Sequence, residues 1–166
     1  MRFEVTHSFP HDPDEVAAAI LDLDYQQSLK DLESLKAREL LSQEENPDGS
    51  VVRRVRCVLD IEISGVAKSF IGSGDPAWIE EATWDPASRR WRWTVLPEIG
   101  KDLLEASGTI ELRPAGGGTQ RAVSGEVKVK VPIYGGKVEG WIVDGIDHAY
   151  AEEAERLHAW LSGAAG

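Results

Sequence analysis

Apolar and polar residues alternate along much of this chain, with a period of two that is typical of half-buried β-strands. The first such segment places Phe3, Val5, His7 and Phe9 on one side. Between residues 37 and 131 the alternation returns and predicts about six further antiparallel strands. The longest of these one-sided faces are Val51, Arg53, Val55, Cys57, Leu59 and Ile61; Trp78, Glu80, Ala82 and Trp84; Trp91, Trp93 and Val95; and Val123, Gly125, Val127, Val129 and Val131.

Two short helices are predicted between the first strand and the rest of the sheet. Asp12 precedes Pro13 and Glu15, the pattern of a helix start with an aspartate as the capping residue. A second short helix is expected over Tyr25–Leu35, where leucines recur at helical spacing.

The last segment, Lys137–Leu161, has a helical period and one wide apolar side. A helix of this kind needs an apolar partner of similar length, and only the preceding sheet offers one. Pro132 ends the last strand and Gly135-Gly136 allows the chain to reverse, so the helix is expected to return across the sheet. A cavity is expected between the two, with Gly65–Gly74 as its mouth loop. The apolar side consists of Val138, Ile142, Ile146, Ala149, Leu157 and Trp160, with Trp141 and Gly145 at its edge.

This order of elements resembles the helix-grip fold of the START-like superfamily, which includes relatives of the birch pollen allergen, polyketide cyclases and lipid-transfer domains. The segments Phe3–Pro10, Gly125–Pro132 and Gly135–Glu139, with the closing Trp160-Leu161, are similar to an uncharacterised bacterial family within it. The resemblance implies an α+β fold in which a curved antiparallel sheet of about seven strands wraps around the long carboxy-terminal helix. It also implies that residues 1–166 form a single ligand-binding domain with a hydrophobic cavity for a lipid, sterol or polyketide.

Charge and cysteine content narrow the partners of the protein. The formal net charge of -11 disfavours nucleic acid as a partner and makes delivery of lipids to an anionic membrane less favourable. The single Cys57 excludes an intrachain disulfide and fits a reducing compartment. The chain contains no apolar run long enough for stable membrane insertion. We therefore expect a cytoplasmic protein, and its oligomeric state stays open.

Aromatic and apolar side chains are the first candidates for ligand contacts. Six tryptophans outnumber the three tyrosines and three phenylalanines, and a tryptophan suits a cavity wall as well as a core. Ordinary packing between neighbouring strands is the alternative for these side chains. The candidates are Trp78, Trp84, Trp91 and Trp93 on the strands, and Trp141, Ile142 and Gly145 on the helix.

Glu153 is the most unusual candidate because its position on the helix falls within the apolar side, between Ala149 and Leu157. A carboxylate there needs a partner or a raised pKa. His7 and Arg53 occupy apolar strand faces, so a buried cluster of His7, Arg53 and Glu153 is conceivable. Such a cluster would bind a ligand headgroup or act as an acid–base pair. The alternative is a satisfied structural ion pair.

Three functions remain open from the sequence. The first is binding of a hydrophobic small molecule or lipid. The second is an enzyme of the cyclase or aromatase type, in which the three polar residues transfer protons. The third is a protein-interaction module similar to co-chaperones of this fold, which predicts a filled core. Binding is favoured over catalysis. We find no motif for a serine or cysteine nucleophile, a phosphate loop or a zinc site, and expect neither a cofactor nor a metal.

Overall fold

Seven antiparallel strands form one sheet. The structure is a computed structural model that describes residues 1–60, 62, 65, 68, 69, 72 and 74–163. The expected helix-grip architecture, a curved sheet around a long last helix, is confirmed. The strands are β1 (Arg2–Phe9), β2 (Leu35–Glu45), β3 (Val51–Leu59), β4 (Ala77–Asp85), β5 (Arg90–Pro97), β6 (Leu104–Ala115) and β7 (Gly118–Val129). Their order in the sheet is β1-β7-β6-β5-β4-β3-β2.

Short turns connect β2 to β3, β4 to β5 and β6 to β7. Between β6 and β7 the turn consists of Gly116 and Gly117, which both have positive φ angles of 57° and 80°. A two-residue hairpin turn with two positive φ angles follows the twist of the strands, and glycine adopts it without steric cost. The first strand pairs with β7 over its full length, so the first and last strands lie side by side at one edge of the sheet.

The first two helices, α1 (Pro13–Leu21) and α2 (Leu23–Ser28), are followed by a 3₁₀ turn at Leu29–Asp31. Asp12 caps α1 as predicted, because its carboxylate accepts hydrogen bonds from the backbone of Asp14 and Glu15. The second helix is shorter than the predicted Tyr25–Leu35. Asp22 caps it through the backbone N–H of Tyr25, and the chain is extended again from Leu35, where β2 begins.

The long helix α3 (Gly135–Leu161) follows β7 after a sharp reversal. Ile133 lies in the reversal with a φ of 69° and is almost fully exposed. A left-handed conformation is strained for a β-branched residue, and here it redirects the chain after Pro132. Gly135 lies directly against the backbone carbonyl of Val129, where a β-carbon would not fit. The sharp reversal predicted from proline and glycine is therefore present, and the helix packs back onto β7 and β1.

The main core lies where α1, α2 and the second half of α3 close one end of the sheet. Its most buried members include Phe9, Val16, Tyr25, Leu29 and Leu157. Towards the first half of α3 the packing opens into a cavity. The segment Gly65–Gly74, predicted as the mouth of this cavity, lies largely outside the described residues. Among the described helices, none combines the length and apolar character that crossing a membrane requires.

Candidate ligand-binding site

A cavity of about 150 Å³ lies between the concave face of the sheet and α3. Residues of α3 that would be fully buried in a tightly packed protein are only half-buried here, because they face this space. Its walls are mainly aliphatic and aromatic, with a small group of charged and polar side chains. That combination is typical of ligand sites. The sheet contributes Val55, Cys57, Leu59, Ala77, Val95 and Ala106 among others, and the helix contributes Val138, Ile142, Ile146 and Ala149.

Eight of the ten predicted site residues line this cavity. Trp84 and His7 do not reach it. Trp84 is buried behind the wall against Trp91, with their ring centroids 5.5 Å apart, and it belongs to the packed core. His7 lies on β1, the edge strand on the far side of β7 from the rest of the sheet. The eight that line the cavity are Arg53, Trp78, Trp91, Trp93, Trp141, Ile142, Gly145 and Glu153.

The indole of Trp93 lies against the backbone of two neighbouring strands. Gly108 of β6 pairs with Gly125 of β7, and a β-carbon on either glycine would lie 2.5 Å from Cζ2 of Trp93. The ring of Phe3 follows at a centroid distance of 6.1 Å. Two paired glycines thus create the room in which a tryptophan forms part of the cavity wall instead of filling the cavity.

The partner of Glu153 is Arg121, which the sequence interpretation missed. Arg121 Nη1 donates to Glu153 Oε1 at 2.9 Å, and Nη2 donates to the backbone carbonyl of Tyr150 at 3.2 Å. His7 Nδ1 lies 3.4 Å from Arg121 Nη2. The expected cluster of His7, Arg53 and Glu153 is therefore wrong in one member. Arg121 lies two positions before the alternating face that starts at Val123, and extending that alternation would have found it.

Arg53 belongs to a second network, which joins the sheet to the first two helices. Its Nη1 donates to the backbone carbonyl of Ile20 at 3.0 Å, and its guanidinium stacks on Trp91 at 4.2 Å from the ring centroid. Arg38 donates to the side-chain oxygen of Gln26 at 2.7 Å, and Gln26 donates to the same Ile20 carbonyl. Burial lowers the pKa of Arg53 to about 10, so the side chain is still charged at neutral pH.

Glu80 and Tyr150 also line the cavity, and sequence reasoning did not select either. Glu80 lies on β4 between Val55 of β3 and Val95 of β5. Burial raises the pKa of its carboxyl group, and the positive charges of Arg53 and Arg38 oppose this rise. Burial likewise raises the pKa of Tyr150, and the carboxylate of Glu80 is the strongest charge acting in the same direction. The only sequence signal for Glu80 was its place among Trp78, Ala82 and Trp84 on one strand face.

A known protein family covers nearly the whole chain. Residues 4–161 match a family described as "Protein of unknown function (DUF2505)". The chain belongs to this family. The match agrees with the expected placement in an uncharacterised family of the START-like superfamily. No curated protein is significantly similar to this sequence.

Several solved structures share the fold of this DUF2505 protein. TTHA0849 from Thermus thermophilus is 20% identical, with 100% of both chains covered and a TM-score of 0.69. The Zhui aromatase/cyclase from Streptomyces sp. R1128 is 13% identical over 98% of this chain and 93% of its own, with a TM-score of 0.65. A START superfamily protein from Mycobacterium smegmatis is 15% identical over 96% of this chain and 98% of its own, with a TM-score of 0.61. Identities this low show the fold alone, and they confirm the START-like resemblance at that level.

Proposed function

We propose that residues 1–166 form one ligand-binding domain that holds a hydrophobic small molecule between the sheet and α3. The observation that carries this proposal is the cavity itself, whose walls are apolar and aromatic with polar groups at a few positions. A folded protein gains stability by filling apolar space, because an empty cavity loses the dispersion contacts of its lining. A retained cavity of this composition therefore favours an occupant.

The volume of the cavity limits the size of that occupant. About 150 Å³ is less than the roughly 300–1,000 Å³ of pockets for drug-sized ligands. It is similar to engineered apolar cavities of roughly 150 Å³ that bind benzene. The cavity in this conformation thus suits a compound of one or two rings better than a full acyl chain. A lipid would require the wall around it to open.

Native mass spectrometry of the purified protein tests the proposal. We expect a species heavier than the denatured chain, and an organic extract that contains a compound of matching mass. For a ligand-free preparation, we expect adducts after addition of one- and two-ring aromatic compounds. A bare chain in both experiments, together with unchanged thermal stability in the presence of these compounds, would refute ligand binding.

An enzyme of the cyclase type is the second candidate, and a specific feature of the cavity favours it. Glu80 has a raised pKa in a ligand-sized cavity, as expected of a group that exchanges protons with a bound substrate. The similarly folded Zhui protein is described as an aromatase/cyclase. Incubation with an aromatic polyketide mimic separates the two functions. Recovery of the mimic with its mass unchanged supports binding alone, whereas loss of water that requires Glu80 supports catalysis.

The third candidate, a protein-interaction module, fits less well because it predicts a filled core where this protein has a cavity.

For the binding protein, we propose a reducing compartment such as the cytoplasm. Cys57 is a free buried thiol, and burial raises its pKa to about 12, so its reactivity is low. The net charge of -11 argues against nucleic acid as a partner.

A further inference from the structure

The interior of the cavity contains a carboxylate that the protein itself leaves without a partner. Glu80 forms no hydrogen bond or salt bridge with any described residue, and its half-buried side chain lines the cavity among apolar neighbours. Its neighbours across the sheet are Val55 and Val95, which offer no hydrogen-bonding side chain. A desolvated polar group without a hydrogen bond costs up to roughly 1–3 kcal/mol, and the positive charges of Arg53 and Arg38 offset part of that cost for Glu80. Such a group in a ligand cavity is best explained by the ligand that satisfies it.

Tyr150 lines the same cavity from the opposite wall. Tyr150 lies on α3, one helical turn before Glu153, and its ring packs 5.4 Å from the guanidinium of Arg121. Its hydroxyl group has no hydrogen-bond partner among the described residues. The two walls therefore present one acceptor, the carboxylate of Glu80, and one donor, the phenol of Tyr150, to the same volume.

We propose that Glu80 and Tyr150 together recognise a hydroxyl group on a compact aromatic ligand. The ligand hydroxyl donates its proton to a hydrogen bond with the carboxylate of Glu80 and accepts one from Tyr150. Trp78, Trp93 and Trp141 provide flat faces for the ring. This assignment rests on the proposed binding function and specifies the chemical class of the ligand.

The charges around the site favour a neutral polar group over an ionised one. Arg53 and Arg38 act on Glu80 from one side, so a ligand ammonium group would meet two positive charges. A ligand carboxylate would meet the negative charges of Glu80 and Glu153 as well as the positive charges of Arg121 and Arg53, all of which act on Tyr150. A hydroxyl group satisfies the acceptor and the donor without adding a charge to a desolvated space.

The test compares 2-naphthol with 2-methylnaphthalene, in which a methyl group replaces the hydroxyl at nearly the same volume. Equilibrium dialysis of the full-length protein against each compound measures both affinities. A purely apolar cavity prefers the methyl compound. The proposed site prefers 2-naphthol by about tenfold or more, because a site built to bind a hydroxyl group rejects an analogue that lacks it. If both compounds bind and the methyl compound binds as well or better, the hydroxyl assignment is refuted and the cavity function stands. If neither compound binds, both the hydroxyl assignment and the proposed ligand-binding function are refuted.

Two variants assign the preference to the two residues. Tyr150→Phe removes only the hydroxyl group and is expected to reduce the preference for 2-naphthol at least about threefold. Glu80→Leu is expected to reverse the preference in favour of 2-methylnaphthalene. Glu81→Gln, on the opposite face of β4, serves as a control that retains it. A preference for 2-naphthol that survives in both Tyr150→Phe and Glu80→Leu overturns the assignment. Circular dichroism establishes that each variant is folded, and the comparison of the two ligands in the unmodified protein requires no variant.

Discussion

Arg121 Nη1 and Glu153 Oε1 lie 2.9 Å apart and form a salt bridge that joins β7 to the second half of α3. The guanidinium is 1% exposed and the carboxylate 18% exposed, so water screens the pair only weakly. The pair closes the cavity on the side that faces the core. It thereby fixes the position of the helix wall on which Tyr150 lies.

Breaking this salt bridge from one side is expected to destabilise the fold. Glu153→Leu leaves the charge of Arg121 buried without its partner and should lower the free energy of unfolding by on the order of 3 kcal/mol. The double variant Arg121→Met/Glu153→Leu removes both charges and should be clearly more stable than the sum of the single effects predicts. Urea denaturation of the unmodified protein, Arg121→Met, Glu153→Leu and the double variant measures the coupling energy between the two side chains.

An exposed pair provides the matched control for that cycle. Arg54 and Glu81 form a cross-strand salt bridge of 3.5 Å on the outer face, with both side chains more than two-fifths exposed. Arg54→Met should cost less than about 1 kcal/mol. Additive single effects at Arg121 and Glu153 would show that their contact does not stabilise the protein.

The stability of the protein should fall as His7 becomes protonated in the unfolded chain. Burial, and then the charge of Arg121, lower the pKa of His7 below its usual 6.5, while Glu153 and Asp147 raise it and His158 lowers it further. Below pH 6.5 the unfolded chain therefore binds a proton at His7, whereas His7 in the folded protein is still neutral. The contribution of His7 to the free energy of unfolding is thus present above pH 6.5 and lost as the pH falls.

Comparison with His7→Gln isolates that contribution from the other groups. Between pH 7.5 and pH 5.5, the unmodified protein should lose more unfolding free energy than the variant does. Urea denaturation at several pH values measures the difference. Parallel pH profiles for the two proteins would contradict an uncharged His7 in the folded state.

Glu80 should have a pH effect of the opposite kind. Because burial raises its pKa in the folded protein, ionisation costs more in the folded than in the unfolded chain. As the pH rises above 4.5, the unfolded chain loses its proton first and the unmodified protein becomes less stable. Glu80→Gln cannot ionise, so its stability relative to the unmodified protein should increase as the pH rises through the raised pKa.

Glu98 provides a control with the reverse sign for this experiment. A hydrogen bond from Arg56 lowers its pKa, so Glu98→Gln should lose stability relative to the unmodified protein as the pH rises through the lowered pKa to 4.5, and the difference should stay constant above that pH. The two profiles should therefore slope in opposite directions in thermal or urea denaturation, that of Glu98→Gln below pH 4.5 and that of Glu80→Gln above it. A Glu80→Gln profile that slopes like that of Glu98→Gln would show that Glu80 is stabilised as a carboxylate.

A methyl group on Gly125 should displace Trp93. Its β-carbon would lie 2.5 Å from Trp93 Cζ2 and 2.7 Å from the backbone oxygen of Ser107, so the ring or the strands must move. Gly125→Ala is expected to cost roughly 1–3 kcal/mol and to shift the tryptophan fluorescence. In the first turn of α3, a β-carbon on Gly136 meets nothing within 4 Å. Gly136→Ala should therefore leave the tryptophan fluorescence unchanged, and the free energy of unfolding should stay the same or rise slightly. An unchanged emission spectrum of Gly125→Ala would mean that the ring does not depend on the glycine pair.

The sequence alone determined the strands, the capped first helix, the long last helix and the reversal between β7 and α3. Each of these follows from local rules: the two-residue period, the capping of a helix by Asp12, and the backbone constraints of proline and glycine. The predicted second helix extended past the true end of α2, because the helical spacing of leucines continues to Leu35, where β2 begins. Local helix propensity does not show that these residues pair with a neighbouring strand instead.

Only the tertiary structure decided which polar side chains meet. Arg53 and Arg121 both lie on inward strand faces, and the sequence gives no register to show that β7 and not β3 faces Glu153. The same holds for Glu80, which has no hydrogen-bond partner among the described residues across the cavity, and for Trp84, which packs behind Trp91 instead of reaching the cavity. Patterns along a chain establish which face of a strand is buried. The distance between two buried groups depends on how the sheet curves around the helix.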